Sequence, residues 1–172
     1  MAAYNLIATT TVDSPSGAAS IDFSSIPATY TDLELVFSIR TNRASATVDA
    51  IGLKTNGVAT NQTMRILYGD GGGGGGAGSQ TDTTINTAVV ASTATASVFG
   101  SGKFYIPNYS SASFKSVSAE SVNENNAALS YIYFVAGLWS QTTAINQLTL
   151  YSINSATIQQ YSSASLYGIK NS

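Results

Sequence analysis

Residues Leu33 to Arg40 read Leu-Glu-Leu-Val-Phe-Ser-Ile-Arg, and this octapeptide constrains the fold more than any other stretch. Leu33, Leu35, Phe37 and Ile39 alternate with Glu34, Val36, Ser38 and Arg40, a strict period of two. In an extended chain successive side chains point to opposite faces, so four large apolar groups share one face and a mostly polar set shares the other. That pattern is a half-buried β-strand, entered from Tyr30-Thr31-Asp32 and left through Thr41-Asn42-Arg43. Its apolar face needs a second layer, and the remainder of the chain offers only further strands.

Short strands recur along the sequence. Tyr4–Thr11 alternates loosely and ends in the turn cluster Val12-Asp13-Ser14-Pro15-Ser16-Gly17. Ala18–Phe23, Val48–Leu53, Met64–Tyr68, Thr84–Ala91, Ala96–Phe99, Lys103–Ile106, Phe114–Val122, Leu129–Trp139, Ile145–Ile153 and Ser165–Lys170 follow as strands. The small residues of Ala91–Ser97 leave a short helix open there, and Gly100-Ser101-Gly102 reads as a separator. Asn56-Gly57 is a favoured tight-turn pair, and Pro27 biases Ile26 towards an extended corner. Leu129–Trp139 is apolar on both faces, with Tyr131, Tyr133 and Val135 opposite Ile132 and Phe134. It is therefore a strand covered on both sides, or one whose outer face meets a partner. No segment of period 3.6 is long enough for a major helix, and no repeat of solenoid or propeller length is present. Many short strands with frequent turns predict a single all-β domain spanning 1–172, an antiparallel β-sandwich of jelly-roll-like form. A Greek-key sandwich of another topology is the next choice.

The composition limits what such a sandwich does. Charged residues are 9% of the chain, against roughly 25% in an ordinary soluble domain. A neutral polar surface gives little protection from association, so the chain is expected to work within an assembly. Seven Lys and Arg are dispersed over the whole length at a net charge of −2, which leaves no basic stripe for nucleic acid. Arg40 and Arg43 are the nearest approach to one, and an edge-strand or interface role suits them better. Without Cys or His the chain lacks thiol chemistry, the commonest acid–base group and the commonest zinc ligand. No apolar run approaches membrane-spanning length, and the first residues lack the character of a signal peptide, so synthesis in a cytoplasm is expected.

Motifs that carry chemistry are missing or incomplete. Gly71 to Gly76 is an unbroken tract, but a dinucleotide fingerprint needs a following helix and an acidic residue about 20 positions on. The β-branched run after the tract supplies neither. Gly102-Lys103 lacks the flanking residues of a phosphate loop, with Ser97 and Phe104 where Gly and a hydroxyl residue are required. Asp70, Asp82 and Asn123–Asn126 carry the hard oxygens that calcium prefers, without the spacing of a calcium loop. The carboxylates sit mostly in turns and on polar strand faces, and a nucleophilic Ser would have no His partner. No catalytic, cofactor or metal residue is assigned, and the reading is non-enzymatic. Tyr105, Tyr109, Tyr131, Tyr133 and Trp139 could line a sugar- or protein-binding surface, or be ordinary core and rim aromatics. A glycine tract orders only against a neighbour, given what glycine loses on folding. The loop at about 69–79 is therefore expected to pack on an adjoining subunit.

The segment Phe23-Ser-Ser-Ile-Pro-Ala-Thr-Tyr-Thr-Asp-Leu-Glu-Leu, the pair Asn56-Gly57, the run Leu67-Tyr68-Gly69-Asp70-Gly71 and the closing Leu166-Tyr167-Gly168-Ile169 together resemble a recurring type of virion protein of tailed bacteriophages. The likeness covers the first half and the C-terminal end, with nothing assigned between about Thr81 and Ser163. It implies a small β-sandwich subunit of the capsid decoration (cement) or tail-associated class, and it transfers no catalytic residue. A cement subunit is expected to sit on the outer capsid surface as a homotrimer, with the major capsid protein and itself as partners and neither nucleic acid nor membrane. The alternative is a tail or tail-fibre component that binds host-surface glycan. The contact residues expected are Tyr4 and Leu6 in an N-terminal arm, Arg40, Arg43, Asp70, Gly71, Gly72, Gly73 and Gly74 in the loops, and Tyr109 and Trp139.

Overall fold

The computed structural model describes residues 3–70, 77–126 and 129–170, and all of the regular structure in them is β. Twelve strands are formed: β1 (Ala3–Thr11), β2 (Ser20–Phe23), β3 (Asp32–Ile39), β4 (Val48–Thr55), β5 (Gln62–Gly69), β6 (Ala77–Asp82), β7 (Asn86–Val90), β8 (Gly100–Ile106), β9 (Lys115–Val122), β10 (Ile132–Trp139), β11 (Leu148–Ser152) and β12 (Ser163–Lys170). They make two antiparallel sheets. The larger has the order β1-β12-β3-β8-β9-β10-β5-β6 and the smaller β2-β11-β4-β7. Their inner faces meet in one core, so the all-β sandwich expected from the alternation is what forms.

The opening octapeptide lies within the larger sheet, flanked by β12 and β8. Leu33, Leu35, Phe37 and Ile39 are buried, while Val36 points outward and is exposed. Across the sheet Leu35 pairs with Leu166 on one side and Phe104 on the other, and Phe104 continues to Ala119 and then Val135. This transverse row is the floor of the core. Leu53, Leu148 and Leu150 of the smaller sheet belong to the same core. Two hydroxyls also bridge the layers, Thr87 Oγ1 on β7 and Ser121 Oγ on β9, 2.6 Å apart and buried.

The strand expected over Tyr4–Thr11 forms as β1, an edge strand paired to β12 from Ala3 to Thr11, so Tyr4 and Leu6 of the expected arm lie within the sheet. Three other local expectations are corrected. Gly100-Ser101-Gly102 does not separate strands but begins β8, where Gly102 gives Phe37 room; a Cβ there would stand 2.6 Å from the Phe37 ring. Ala96–Phe99 forms neither strand nor helix. That segment wraps around the side chain of Arg40, whose Nη1 donates to the carbonyls of Thr95 (2.8 Å) and Val98 (3.0 Å) and whose Nη2 donates to those of Ser92 (3.2 Å) and Ala94 (3.1 Å). Lastly, the end of the proposed glycine loop is β6, which pairs with β5 so that Ala77 faces Gly69. The Asn56-Gly57 turn is present as expected, with φ of 50° and 82° and Thr55 and Val58 hydrogen-bonded across it.

Candidate functional site

Register fixes what the outer face of the larger sheet displays. One transverse row runs Leu67, Phe134, Glu120, Lys103, Val36. The next contains Ile132 beside Val122, and Leu138 lies on the same face of β10 two pairs further along. Leu67 is 54% exposed, Phe134 51%, and Ile132 and Val122 46% each. Four large apolar side chains on three adjacent strands thus share one solvent-facing patch. A shallow groove of about 500 Å³ runs beside Phe134, bordered by Leu67, Arg65, Lys103, Tyr105 and Glu120. Apolarity on both faces of β10 has its explanation here: Val135 and Trp139 enter the core while Ile132, Phe134 and Leu138 lack cover among the described residues.

The charged groups of this face sit at its centre. Lys103 Nζ lies 3.3 Å from Glu120 and 3.7 Å from Glu34. The Glu120 hydrogen bond, then the Glu34 charge, hold the ammonium above its ordinary value. Beyond it Tyr105 donates to Asp32 Oδ2 at 2.8 Å. Desolvation, reinforced by that carboxylate, pushes the phenol up to about 12. Tyr4 and Leu6 of β1 continue the face to the sheet edge and are exposed at 60% and 58%. β1 carries no charged residue, and its protection as an edge is a single register irregularity between Leu6 and Ala8.

The remaining expected contact residues are placed elsewhere. Tyr109 is fully buried; its hydroxyl donates to the Pro27 carbonyl and accepts from Tyr30 N. Trp139 is buried under Lys115, whose ammonium stands 5.8 Å from the ring centre. Arg40 is buried too, and its terminal nitrogens serve the 92–98 loop. These three belong to the interior, because each side chain reaches a structural partner before it reaches solvent. Arg43 is half exposed, bonded to the Val48 carbonyl at 3.1 Å and 3.8 Å from the buried Asp49. Asp70 follows β5, and its charge adds to the rise in the Tyr131 phenol, for which burial is the larger cause. Gly71, Gly72, Gly73 and Gly74, and the packing expected of that tract, lie outside the described residues.

The aromatics do not assemble into one surface. Tyr68, Tyr131 and Tyr133 form a half-buried cluster on the inner side, with ring centres 5.4–5.8 Å apart, whereas Tyr105 faces outward. Candidate calcium oxygens are engaged in turns: Asp82 accepts from Thr83 N and Asn86 Nδ2, and Asn123 from Tyr131 N. Among the described residues no three acidic side chains come together.

No protein-family model matches the chain, and no curated protein matches it significantly. The resemblance to virion proteins gains no support from these comparisons.

Proposed function

We propose that the chain is a non-enzymatic structural subunit that docks through the outer face of its larger sheet, as a capsid decoration (cement) protein on the shell of a tailed phage. The carrying observation is the exposed apolar patch of Leu67, Phe134, Ile132 and Val122 beside the Lys103–Glu34–Glu120 cluster, one ammonium held between two carboxylates. Covering those side chains would contribute on the order of 1 kcal/mol each, and the central charges would set register. The uncharged edge of β1 offers a second means of contact, by adding a strand from a neighbouring copy. Such a subunit stabilises a shell by binding the assembled lattice and not its separated parts. Its partners are the major capsid protein and further copies of itself, and its place is the virion surface.

The strand order also supports the finer description of the fold. With the hairpins β5–β6 and β9–β10 set aside, the sheets read β1-β12-β3-β8 and β2-β11-β4-β7. Eight strands in that arrangement are the pattern of a jelly roll, with both hairpins extending one sheet.

The test is light scattering of the purified protein, then co-sedimentation with phage capsids stripped of minor proteins. Saturable binding at fixed copies per capsid, lost in Phe134→Lys with little change in melting temperature, is expected. A protein that ignores capsids, or binds equally well with Lys at 134, overturns the reading.

A further inference from the structure

Tyr161 has φ of 71°, in the left-handed region, where a bulky side chain is strained. Nine described non-glycine residues have positive φ, and the other eight are Ser or Asn, whose small polar side chains suit such turns. The backbone is fixed around it: Tyr161 N donates to Val12 O at 2.8 Å, Val12 N to Ser162 O at 2.8 Å, and Ser162 N to Gln159 O at 3.2 Å. Burial does not offset the strain, because the side chain is 70% exposed. Gly or Asn would serve the turn better. Neither local geometry nor the core accounts for a tyrosine here.

The ring borders a polar cleft of about 500 Å³ at a loop end of the sandwich. Its walls are tied together. Asn42 N donates to Thr157 O at 2.9 Å, Thr157 N returns to Asn42 Oδ1 at 2.7 Å, and Gln159 N donates to Arg40 O at 2.8 Å. Gly17, with φ of 77°, packs so closely that a Cβ would lie 2.4 Å from the Ile158 carbonyl. Arg40 clamps the opposite wall, which contributes Ser97 and Phe99. The cleft is preformed.

Its chemistry is neutral. Among the described residues no carboxylate lines it, and both terminal nitrogens of Arg40 are engaged by backbone carbonyls. Carboxamides face the space instead. Asn42 uses Oδ1 internally and keeps Nδ2, while Gln160 donates Nε2 to Asp13 O at 2.8 Å and keeps Oε1. The Gln159 carboxamide makes no hydrogen bond among the described residues. A carboxamide offers both donor and acceptor, which matches a sugar hydroxyl, and an exposed phenol ring matches the apolar face of a pyranose. Phosphates or other strong anions would need a free cation that the cleft lacks.

We propose that this cleft binds a neutral saccharide, with one pyranose ring stacked on Tyr161 and its hydroxyls held by Asn42, Gln159 and Gln160. The site is independent of the outer sheet face, so it stands whether or not the chain binds a capsid. A single open subsite predicts a dissociation constant on the order of 1 mM.

The experiment is an NMR titration of the full chain with methyl glucoside, methyl galactoside and N-acetylglucosamine, with heparin as a charged comparator. Expected is saturable binding of at least one neutral sugar, with shifts at residues 157–161. Affinity should fall about tenfold, 1.4 kcal/mol, in both Tyr161→Asn and Gln159→Ala. Tyr161→Asn should also melt at a higher temperature, because it relieves the strain; that readout separates lost binding from lost fold. No neutral sugar bound at about 50 mM, where a millimolar site is nearly saturated, overturns the proposal. So does binding unchanged in Tyr161→Asn, or binding of heparin alone that disappears with salt. Loss of capsid binding in Phe134→Lys would leave these results untouched.

Discussion

Thr87 Oγ1 and Ser121 Oγ lie 2.6 Å apart between the two sheets, both buried, and form a hydrogen bond from one layer to the other. Removing one partner leaves the other hydroxyl in a dry interior. Thr87→Val should therefore destabilise by about 1–3 kcal/mol, although it keeps the shape of the side chain. Thr87→Val with Ser121→Ala should cost less than the two single changes added together, by roughly 1 kcal/mol. Denaturant unfolding of the four proteins measures this. Strict additivity would mean that the pair is not coupled.

Arg40 gives a second prediction. Its guanidinium closes the 92–98 loop by serving four carbonyls, and burial lowers its pKa from the ordinary value. Arg40→Met leaves those carbonyls without their donors and should cost about 2–4 kcal/mol. It should also open the loop to proteolysis. Arg40→Lys should recover only part of this, since an ammonium cannot reproduce the planar fork. Equal stability of the Lys and Arg proteins would show that charge, not geometry, holds the loop.

Alkaline pH supplies a third. Desolvation, followed by the Tyr131 and Tyr68 phenols, pushes Tyr133 up to about 12 from an ordinary 10.0. The unfolded chain therefore loses this proton before the folded one. Stability from Tyr133 is fully present below pH 10 and is lost as pH rises from 10 towards about 12. Tyr105 acts in the same sense, as does Lys103, whose raised pKa ties its contribution to the protonated state. Lys115 opposes them. Burial lowers its pKa, so its unfavourable contribution diminishes as pH rises towards 10.5. The difference between wild type and Tyr133→Phe isolates one group: the variant should lose stability less steeply above pH 10. Parallel curves would contradict the assignment, and tyrosinate absorbance checks the titration directly.

Local alternation was enough to establish the architecture. Leu33, Leu35, Phe37 and Ile39 bury as their spacing requires, and Asn56-Gly57 turns as that pair should, because both depend on residues adjacent in the chain. A strand was missed where composition concealed it. β6 follows the glycine tract and forms by pairing with β5, a long-range interaction without a local signature. Ala96–Phe99 failed in the opposite way. Its residues would tolerate a strand, but the Arg40 guanidinium at the end of β3 takes the Val98 carbonyl together with those of Ser92, Ala94 and Thr95 just before the segment.

The candidate sites divide along the same physical line. Sequence alone marked β10 as apolar on both faces, yet an aromatic at position 109 or 139 reads the same whether it lines a core or a surface. Burial in three dimensions sent Tyr109 and Trp139 inward and left Phe134 outside. The strained turn at Tyr161 has no sequence signal, since its φ is imposed by hydrogen bonds to Val12 and within the 159–162 turn. Period and turn chemistry, being local, determined that this chain is a β-sandwich. Which faces stay open, which cations are consumed internally and which tyrosine is held out to solvent were decided by contacts between residues far apart in the chain.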